Sequence, residues 1–396
     1  PIPMLEHLSS SRLVQKRKKF TGDKNMKNIL LATRPLVPPW DEASKNFAYF
    51  LAKSLATHHV SILTTPVWLS DLPANVTQIP CYSKNELDFS EKLRLLRSLR
   101  GLRSKFDITH YLFTPTRKNT SLINYFSRPT RGKTIQTVAT LREDLYVPKQ
   151  LKKLLFADSI IVYSNYSKNR LEKLGFTNVT RIYPGIDLDL YRPQVKDAAA
   201  LAHFTLTPDD FVVMYPGEYT RLGATDMLTR WLIGYFQKHP ESNMKFVFAC
   251  RVKHDDDQLK KNEITKRFEK AGVIHHIRFT DTYTDMPTLY NLADVIVFPV
   301  NDMRGKFDVP LVIIEAYACG KPVILSDLPI FSEFSNPSIC ASIPRGSTEE
   351  LSNKLAYLKD NQSVRASLGR NARLFVEQHF DLKKTVRQYE EIYNNL

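Results

Sequence analysis

The sequence has few cysteines, few glycines and no long apolar run. Its 396 residues include 4 cysteines and 13 glycines. No two cysteines form a CxxC pair and none lies near paired histidines, so the spacing of a zinc site is absent. Four scattered thiols in a chain of this size favour a reducing compartment, and we expect a cytoplasmic protein. No apolar run reaches the roughly 18 residues that a membrane span needs, which excludes a polytopic membrane protein.

The absence of two glycine motifs excludes some classes of function, and the charge balance favours others. Neither a Walker A motif nor a GxGxxG motif occurs, which excludes P-loop nucleotidases and argues against an ordinary NAD enzyme. Lys and Arg number 56 against 41 for Asp and Glu, giving a formal net charge of +15. Such an excess favours polyanionic partners, namely nucleic acid, an anionic membrane or a phosphorylated substrate.

Apolar strands alternate with helices twice along the chain, after an N-terminal segment of 25 residues. That segment, 1–25, has a basic run but no apolar stretch of the signal-peptide type, so we interpret it as an extension or an artificial remnant. The predicted strands are 29–32, 60–63, 108–113, 134–138 and 159–163, then 211–215, 245–249, 276–280, 295–299 and 322–326. This pattern predicts an α/β protein with two doubly wound domains. Ligands in such folds bind beyond the carboxyl ends of the strands, in a cleft.

One segment carries a specific signature. Residues 297–333 read VFPVNDMRGKFDVPLVIIEAYACGKPVILSDLPIFSE, preceded by LYNLAD at 289–294, DSIIVYS at 158–164, and IYPGID at 182–187 with YRP at 191–193. In this order the pieces resemble the nucleotide-sugar signature of the GT-B glycosyltransferases of family 4, the glycosyl transferases group 1 type. The resemblance covers roughly residues 26–396.

The resemblance implies a fold and a reaction. The fold is GT-B, with two Rossmann-like domains facing a central cleft: 26–190, joined by a C-terminal helix over 375–396, for the acceptor, and 191–374 for the nucleotide sugar. The reaction is retaining transfer from a UDP- or GDP-sugar to an acceptor hydroxyl, on a glycan or a lipid-linked precursor. No cofactor or metal is required.

Glu315 is the central donor-binding candidate. A helix predicted over 312–317 points its first amides, with Leu311 and Val312 nearby, toward an anion such as a diphosphate. The resemblance implies that the Glu315 carboxylate accepts ribose hydroxyls. The alternative is a glutamate that only stabilises the start of the helix.

Two departures from the family pattern affect the phosphate and sugar contacts. Phe307 stands where the family usually has another glutamate, so Asp308 is the substitute we expect there, unless it only caps the loop. The positive charge of Arg304 and Lys306 lies beside it.

In the phosphate loop after the strand at 211–215, Gly217 is followed by Glu218 in the usual arginine slot. Arg221 is the nearest cation for a diphosphate, unless it is only a surface residue, and Arg251 after the next strand can supply the missing charge.

The N-terminal half offers weaker candidates for the acceptor side. The loop after the first strand lacks the family's glycine pair, leaving Asp41, Ser44 and Lys45 as polar contacts. His110 resembles the histidine that closes the family's fourth strand, although a lone histidine is often structural. After a later strand, where the family often has another histidine followed by an aspartate, this chain has Arg142, which can serve as a cationic contact instead. Arg221, Asp308 and His110 are therefore the catalytic candidates.

A run without acids stands out in the same half. Residues 92–105 carry Arg94, Arg97, Arg100 and Arg103 at every third position, with leucines on the other face. This pattern is typical of a helix on an anionic membrane surface, although a solvated amphipathic helix gives it too. We expect peripheral contact with the inner face of the plasma membrane. Nucleic acid is not expected, because aromatic residues are not interleaved with the arginines.

Two other functions stay open at this point. One is a sugar-nucleotide epimerase on the GT-B fold, which needs acid and base carboxylates in place of an acceptor site. The other is a non-catalytic scaffold that binds a sugar nucleotide, because a family glutamate is missing and the phosphate loop is altered.

Overall fold

The computed structural model describes residues 26–38, 43–281 and 283–396. The segment 1–25 and Asp41, for which expectations were given above, lie outside these residues. No helix in the described part is long and apolar enough to cross a membrane.

The N-terminal part of the chain folds around a seven-stranded parallel sheet in the order β3-β2-β1-β4-β5-β6-β7. The central strands are apolar runs because helices cover both faces of the sheet. The strands are β1 Asn28–Ala32, β2 His59–Thr64, β3 Val76–Pro80, β4 Ile108–Tyr111, β5 Lys133–Val138, β6 Ser159–Val162 and β7 Val179–Arg181.

In the described part of the chain, five helices and one π-helical turn lie between the strands of this sheet in sequence. Three of them begin at a capping side chain: Asp88 accepts from the Glu91 amide, Thr116 from the Asn119 amide and Ser164 from the Ser167 amide. These bonds satisfy amides that have no partner inside the helix. The helices are α1 Ala43–Ser54, α2 Phe89–Leu102, α3 Arg117–Leu122, α4 Pro148–Leu154 and α5 Asn165–Lys173, with the π-helical turn Ile123–Ser127 directly after α3.

The C-terminal part repeats the plan with a six-stranded parallel sheet in the order β10-β9-β8-β11-β12-β13. Its strands are β8 Phe211–Tyr215, β9 Met244–Phe248, β10 Ile277–Phe279, β11 Val295–Phe298, β12 Val323–Ser326 and β13 Cys340–Ile343. Its helices are α6 Ala198–His203, α7 Thr225–Lys238, α8 Asp255–Lys270, α9 Met286–Leu292, α10 Leu311–Ala318, α11 Thr348–Asp360 and α12 Gln362–His379. The predicted α/β fold with two doubly wound units is confirmed.

The last helix, α13 Leu382–Asn395, returns to the N-terminal sheet. The Tyr393 hydroxyl lies 2.8 Å from Nδ1 of His110 on β4, and the Tyr393 carbonyl accepts from Nζ of Lys27 at 2.7 Å. Three residues earlier on α13, Oε1 of Glu390 accepts from the Thr57 hydroxyl at 2.8 Å. The chain therefore crosses between the two sheets twice, once after β7 and once before α13.

Candidate functional site

The loops that follow β8, β9 and β11 meet at one edge of the C-terminal sheet, because the carboxyl ends of parallel strands share an edge. Arg221 lies in the first loop, Arg251 in the second and Lys306 in the third. The first and third loops are tied together, since the Asn301 amide donates to the Leu222 carbonyl at 2.7 Å and its side chain to the Gly223 carbonyl at 3.0 Å. Cations from three loops therefore lie along this edge.

Glu315 is the fifth residue of the eight-residue helix α10, one residue farther into the helix than expected. Oε2 of Glu315 accepts from the hydroxyl of Tyr290 at 2.9 Å, and the Tyr191 hydroxyl also bonds this carboxylate. Burial raises the pKa of Glu315 to about 7, against the opposing effect of the two tyrosine bonds. The group is therefore a half-buried acceptor of hydroxyl donors whose charge changes near neutral pH.

The start of α10 faces the same region. Pro310 precedes the helix, and Leu311 and Val312 form its half-buried first turn. Because proline has no side-chain acceptor, it cannot cap the first amides as serine or aspartate does. The amide end of this helix is thus suited to an anion, and its binding role stays a prediction.

The phosphate loop is shaped by packing. A Cβ on Gly217 would lie 1.9 Å from the ring of Tyr215, so the loop can pass over that tyrosine only with a glycine there. Gly223 has a φ of 73°, and a Cβ on it would lie 2.4 Å from the Asn301 side chain. These contacts fix the loop backbone; a direct role for Gly217 toward a ligand stays a prediction.

Arg221 and Lys306 meet at one carboxylate, Glu218. Nε and Nη2 of Arg221 donate to Glu218 at 2.8 and 3.1 Å, and Nζ of Lys306 donates to the same group. Burial works to raise the pKa of Glu218, but the two cations outweigh it and lower the pKa. Burial lowers the pKa of Lys306. The sequence indicates both cations. It marks Glu218 only as a departure from the family pattern and gives no sign that this glutamate joins them.

Asp308 is enclosed between the two parts of the fold, and its role in place of the missing glutamate stays a prediction. Its side chain is 4% exposed. It accepts from the Leu141 amide at 3.2 Å and from the Ser167 hydroxyl, both in the N-terminal part of the chain. Burial raises the pKa of Asp308 to about 7. A carboxylate enclosed in this way joins the two parts of the fold.

Sequence reasoning missed a second carboxylate of this kind. Glu333, which follows β12, accepts from the amides of Asn165 and Tyr166 at 3.0 and 2.9 Å and from the Tyr183 hydroxyl at 2.8 Å. It thereby satisfies amides at the start of α5, where negative charge is stabilising. Nothing in the local sequence around Glu333 indicates this contact, because the partners are 150 or more positions away.

The expectation for His110 is corrected: it is a buried structural histidine. Its Nδ1 lies 2.8 Å from the Tyr393 hydroxyl and its Nε2 2.7 Å from the Thr137 hydroxyl, so both ring nitrogens are already bonded within the fold. Burial lowers its pKa to about 3. A neutral ring without exposed surface cannot serve as a catalytic acid or base for a ligand in the cleft.

The further N-terminal candidates are Arg142, Ser44 and Lys45, of which Arg142 lies near the loop of Lys306. The guanidinium of Arg142 bonds Asp144 at 2.8 and 2.9 Å, and it lies 4.0 Å from the place that a Cβ on Gly305 would take. It therefore faces the loop of Lys306 from the opposite side. Ser44 and Lys45 lie in the first turn of α1, where Lys45 is buried.

Phe307, in the slot of the missing glutamate, packs its ring against Tyr163 at a centroid distance of 5.6 Å. Among the described residues, no group of three or more His, Cys, Asp or Glu side chains is arranged to hold a metal ion.

Comparison with protein families matches residues 232–375 to the family described as glycosyl transferases group 1. Among curated relatives, a D-inositol 3-phosphate glycosyltransferase of Saccharomonospora viridis is 27% identical over 247 residues, 60% of this chain and 55% of the relative. That of Streptomyces bingchenggensis is 31% identical over 154 residues, 38% and 33% of the two chains. The chain thus spans about half the length of the first relative and a third of the second.

Solved structures resemble nearly the whole chain. HepE of Anabaena, determined in complex with UDP and glucose, superposes with a TM-score of 0.73 and 18% identity, covering 94% of this chain and 100% of that one. Sucrose-phosphate synthase from Thermosynechococcus elongatus gives a TM-score of 0.74 and 18% identity, covering 93% and 98%. At such identities the likeness is one of fold.

Proposed function

We propose that this chain, a GT-B protein of the glycosyl transferases group 1 family, transfers a sugar from a nucleotide-diphosphate sugar to an acceptor hydroxyl. The observation that carries the proposal is the arrangement at the carboxyl edge of the C-terminal sheet. A half-buried hydroxyl acceptor, Glu315, and two cations that share one anion, Arg221 and Lys306, lie on loops and a helix of the same edge. Those groups match the ribose and the diphosphate of such a donor.

The chemistry asked of these residues is charge stabilisation. Breaking the bond between the sugar and the diphosphate leaves negative charge on the phosphate oxygens. Arg221 offers a bidentate guanidinium and Lys306 a point charge, and both act best where water is partly excluded. Retention of configuration, through attack on the same face as the leaving phosphate, follows from the family resemblance and is part of the proposal.

For the donor we propose a UDP-sugar first. HepE, whose fold this chain shares, was determined with UDP and with UDP-glucose. A GDP-sugar is the alternative. A thermal-shift series with UDP, GDP and ADP separates them, because a ligand at about 100 times its Kd adds roughly 2.7 kcal/mol of stability.

For the acceptor we propose an anionic glycan precursor or a lipid-linked one. The curated relatives are named for D-inositol 3-phosphate, and Arg142 faces the Lys306 loop across the cleft, with Arg304 on that loop. Each arginine pairs with a nearby aspartate, Asp144 or Asp302. Such pairs hold a guanidinium ready for a phosphate without leaving it fully unpaired.

We also propose peripheral contact with an anionic membrane at the inner face of the plasma membrane, with the enzyme in the cytoplasm. Arg97, Arg100 and Arg103 are exposed on or next to α2 and form no ion pair with any carboxylate among the described residues, whereas Arg94 lies 3.4 Å from Glu91. The adjoining π-helical turn presents Tyr125, 87% exposed, and Phe126, 49% exposed. Arginines beside exposed aromatic rings suit the interface of a bilayer.

Turnover measurements separate this function from its alternatives. A transferase consumes donor fastest with acceptor present, an epimerase converts donor without acceptor, and a scaffold does neither. The comparisons give no support to an epimerase or a scaffold. Acceptor-independent conversion of the sugar nucleotide would contradict the proposal.

A further inference from the structure

Glu218 lies in the phosphate loop after β8, with its carboxylate between two cations from different loops. It accepts from Arg221 at 2.8 and 3.1 Å within its own loop and from Nζ of Lys306, which belongs to the loop after β11. The side chain is 17% exposed. Arg221 and Lys306 therefore converge on a single anionic position that the protein itself fills.

That position has the geometry of a phosphate site. A guanidinium that donates two parallel bonds to a pair of oxygens binds a carboxylate and a phosphate in the same way. An ammonium adds a point charge from the other side. Lys253, from the loop after β9, adds to the positive potential at Lys306. A diphosphate carries more negative charge than a carboxylate, so it gains more from the same cations.

The loop can release the carboxylate without rearranging its backbone. The Glu218 carbonyl accepts from the Thr225 hydroxyl at 3.0 Å, and Asn301 holds the backbone of Leu222 and Gly223. Among the described residues, the carboxylate itself accepts hydrogen bonds from Arg221 and Lys306 and from no other side chain. Rotation of one side chain is therefore sufficient to free both cations.

We infer that Glu218 is an internal competitor of the donor's diphosphate: its carboxylate keeps Arg221 and Lys306 in position, and a nucleoside diphosphate binds by displacing it from them. The inference rests on the proposed function, because it takes the nucleotide sugar as the ligand of this edge. It makes Glu218 a specificity-determining residue, since an anion must compete with a carboxylate that is already in place.

The competition has an unusual consequence. Removing an acidic side chain from the site tightens binding of an anion that uses the two cations, and leaves unchanged the binding of a neutral nucleoside, which does not use them. The effect is larger for a diphosphate than for a monophosphate, because the displaced carboxylate still repels the more highly charged ligand more strongly.

The test is calorimetric titration of Glu218→Gln and wild type with UDP, UMP and uridine. The competing contact has the strength of a charge-assisted hydrogen bond, so we expect UDP to bind about tenfold more tightly to the variant. The gain for UMP should be smaller, and uridine should bind equally to both proteins. Glu218→Asp keeps the charge but shortens the side chain, and should give an intermediate gain if the glutamine variant folds poorly.

Asp294→Asn is the matched control. Its carboxylate accepts from Nζ of Lys196 at 2.7 Å and is 23% exposed, close to the burial of Glu218. Asp294 precedes β11 and therefore lies at the opposite, amino edge of the same sheet. The two substitutions change the net charge equally, so tighter UDP binding in both would overturn the inference in favour of a general charge effect.

Equal or weaker binding of UDP to Glu218→Gln than to wild type would also overturn it, because Glu218 would then only position the two cations. Inorganic pyrophosphate separates this failure from failure of the proposed function. If pyrophosphate binds more tightly to Glu218→Gln while no nucleotide binds either protein, the competitor stands and the nucleotide donor is wrong.

Discussion

The arginines of α2 allow a quantitative test of membrane contact. Of the four arginines at every third position, Arg94 is partly neutralised by Glu91 at 3.4 Å. Arg97, Arg100 and Arg103 are exposed and have no such partner within 26–38, 43–281 and 283–396. Each basic residue close to an anionic surface contributes about 1 kcal/mol. Replacing the last three by Gln should therefore weaken vesicle binding by roughly 3 kcal/mol, about 150-fold in partitioning.

The assay is co-sedimentation with vesicles that contain phosphatidylserine, at low and high salt. Raised salt should reproduce the effect of the substitutions, because the screening length shortens. Arg230, Lys266 and Lys270, exposed on α7 and α8, supply a control triple with the same loss of charge on the C-terminal part. The reasoning is refuted if wild type does not sediment with acidic vesicles at low salt, or if both triples lose binding equally.

Three further predictions concern the cleft. Glu315→Gln should lower kcat/KM by roughly ten- to a hundredfold, since a bond to a charged acceptor contributes about 1.5–3 kcal/mol; unchanged kinetics in a folded variant removes Glu315 from the site. Arg221→Ala should raise the KM for the donor and lower kcat, because charge builds on the diphosphate in the transition state; if Arg251→Ala alone has this effect, the phosphate loop is assigned wrongly. Burial raises the pKa of Asp308 to about 7, so the folded protein keeps this proton at pH values at which the unfolded chain has already released it. The contribution of Asp308 to the free energy of unfolding is therefore lost as the pH rises from about 4 to about 7. Over this pH range the Tm of Asp308→Asn should therefore rise relative to the Tm of wild type. A Tm difference between the two proteins that does not change with pH contradicts the assignment.

The interior strands were predictable and several edge strands were not. β1 and β8 read as continuous apolar runs because both of their faces are covered. The sequence analysis did not identify β3, β7 and β13, and each of these lies at an edge of its sheet. β3 is half-exposed along its length and β7 has three residues. An edge strand needs less apolar surface, so its sequence carries a weaker signal.

The site was predictable where it is local in sequence. Glu315 and Lys306 lie in one contiguous signature, and Arg221 lies within one loop. The roles of His110 and Asp308 depend on partners far along the chain: Tyr393 is 283 positions from His110, and Ser167 is 141 positions from Asp308. A histidine or aspartate beside a strand end looks the same in the sequence whether it faces a ligand or a distant segment of the fold.

These distant contacts explain the departure of the signature at 307–308. The Phe307 ring packs on Tyr163 at the end of β6, and the Asp308 amide donates to the Ala139 carbonyl at 2.9 Å, so both residues face the N-terminal part. A glutamate at 307 would bring a charge against the Tyr163 ring and lose that packing. Lys306, one residue before Phe307, instead donates to Glu218 in the loop after β8. The last residues of this loop therefore contact the N-terminal part of the chain, whereas Lys306 contacts the C-terminal part. Binding of an anion by the cations of this loop remains part of the proposal.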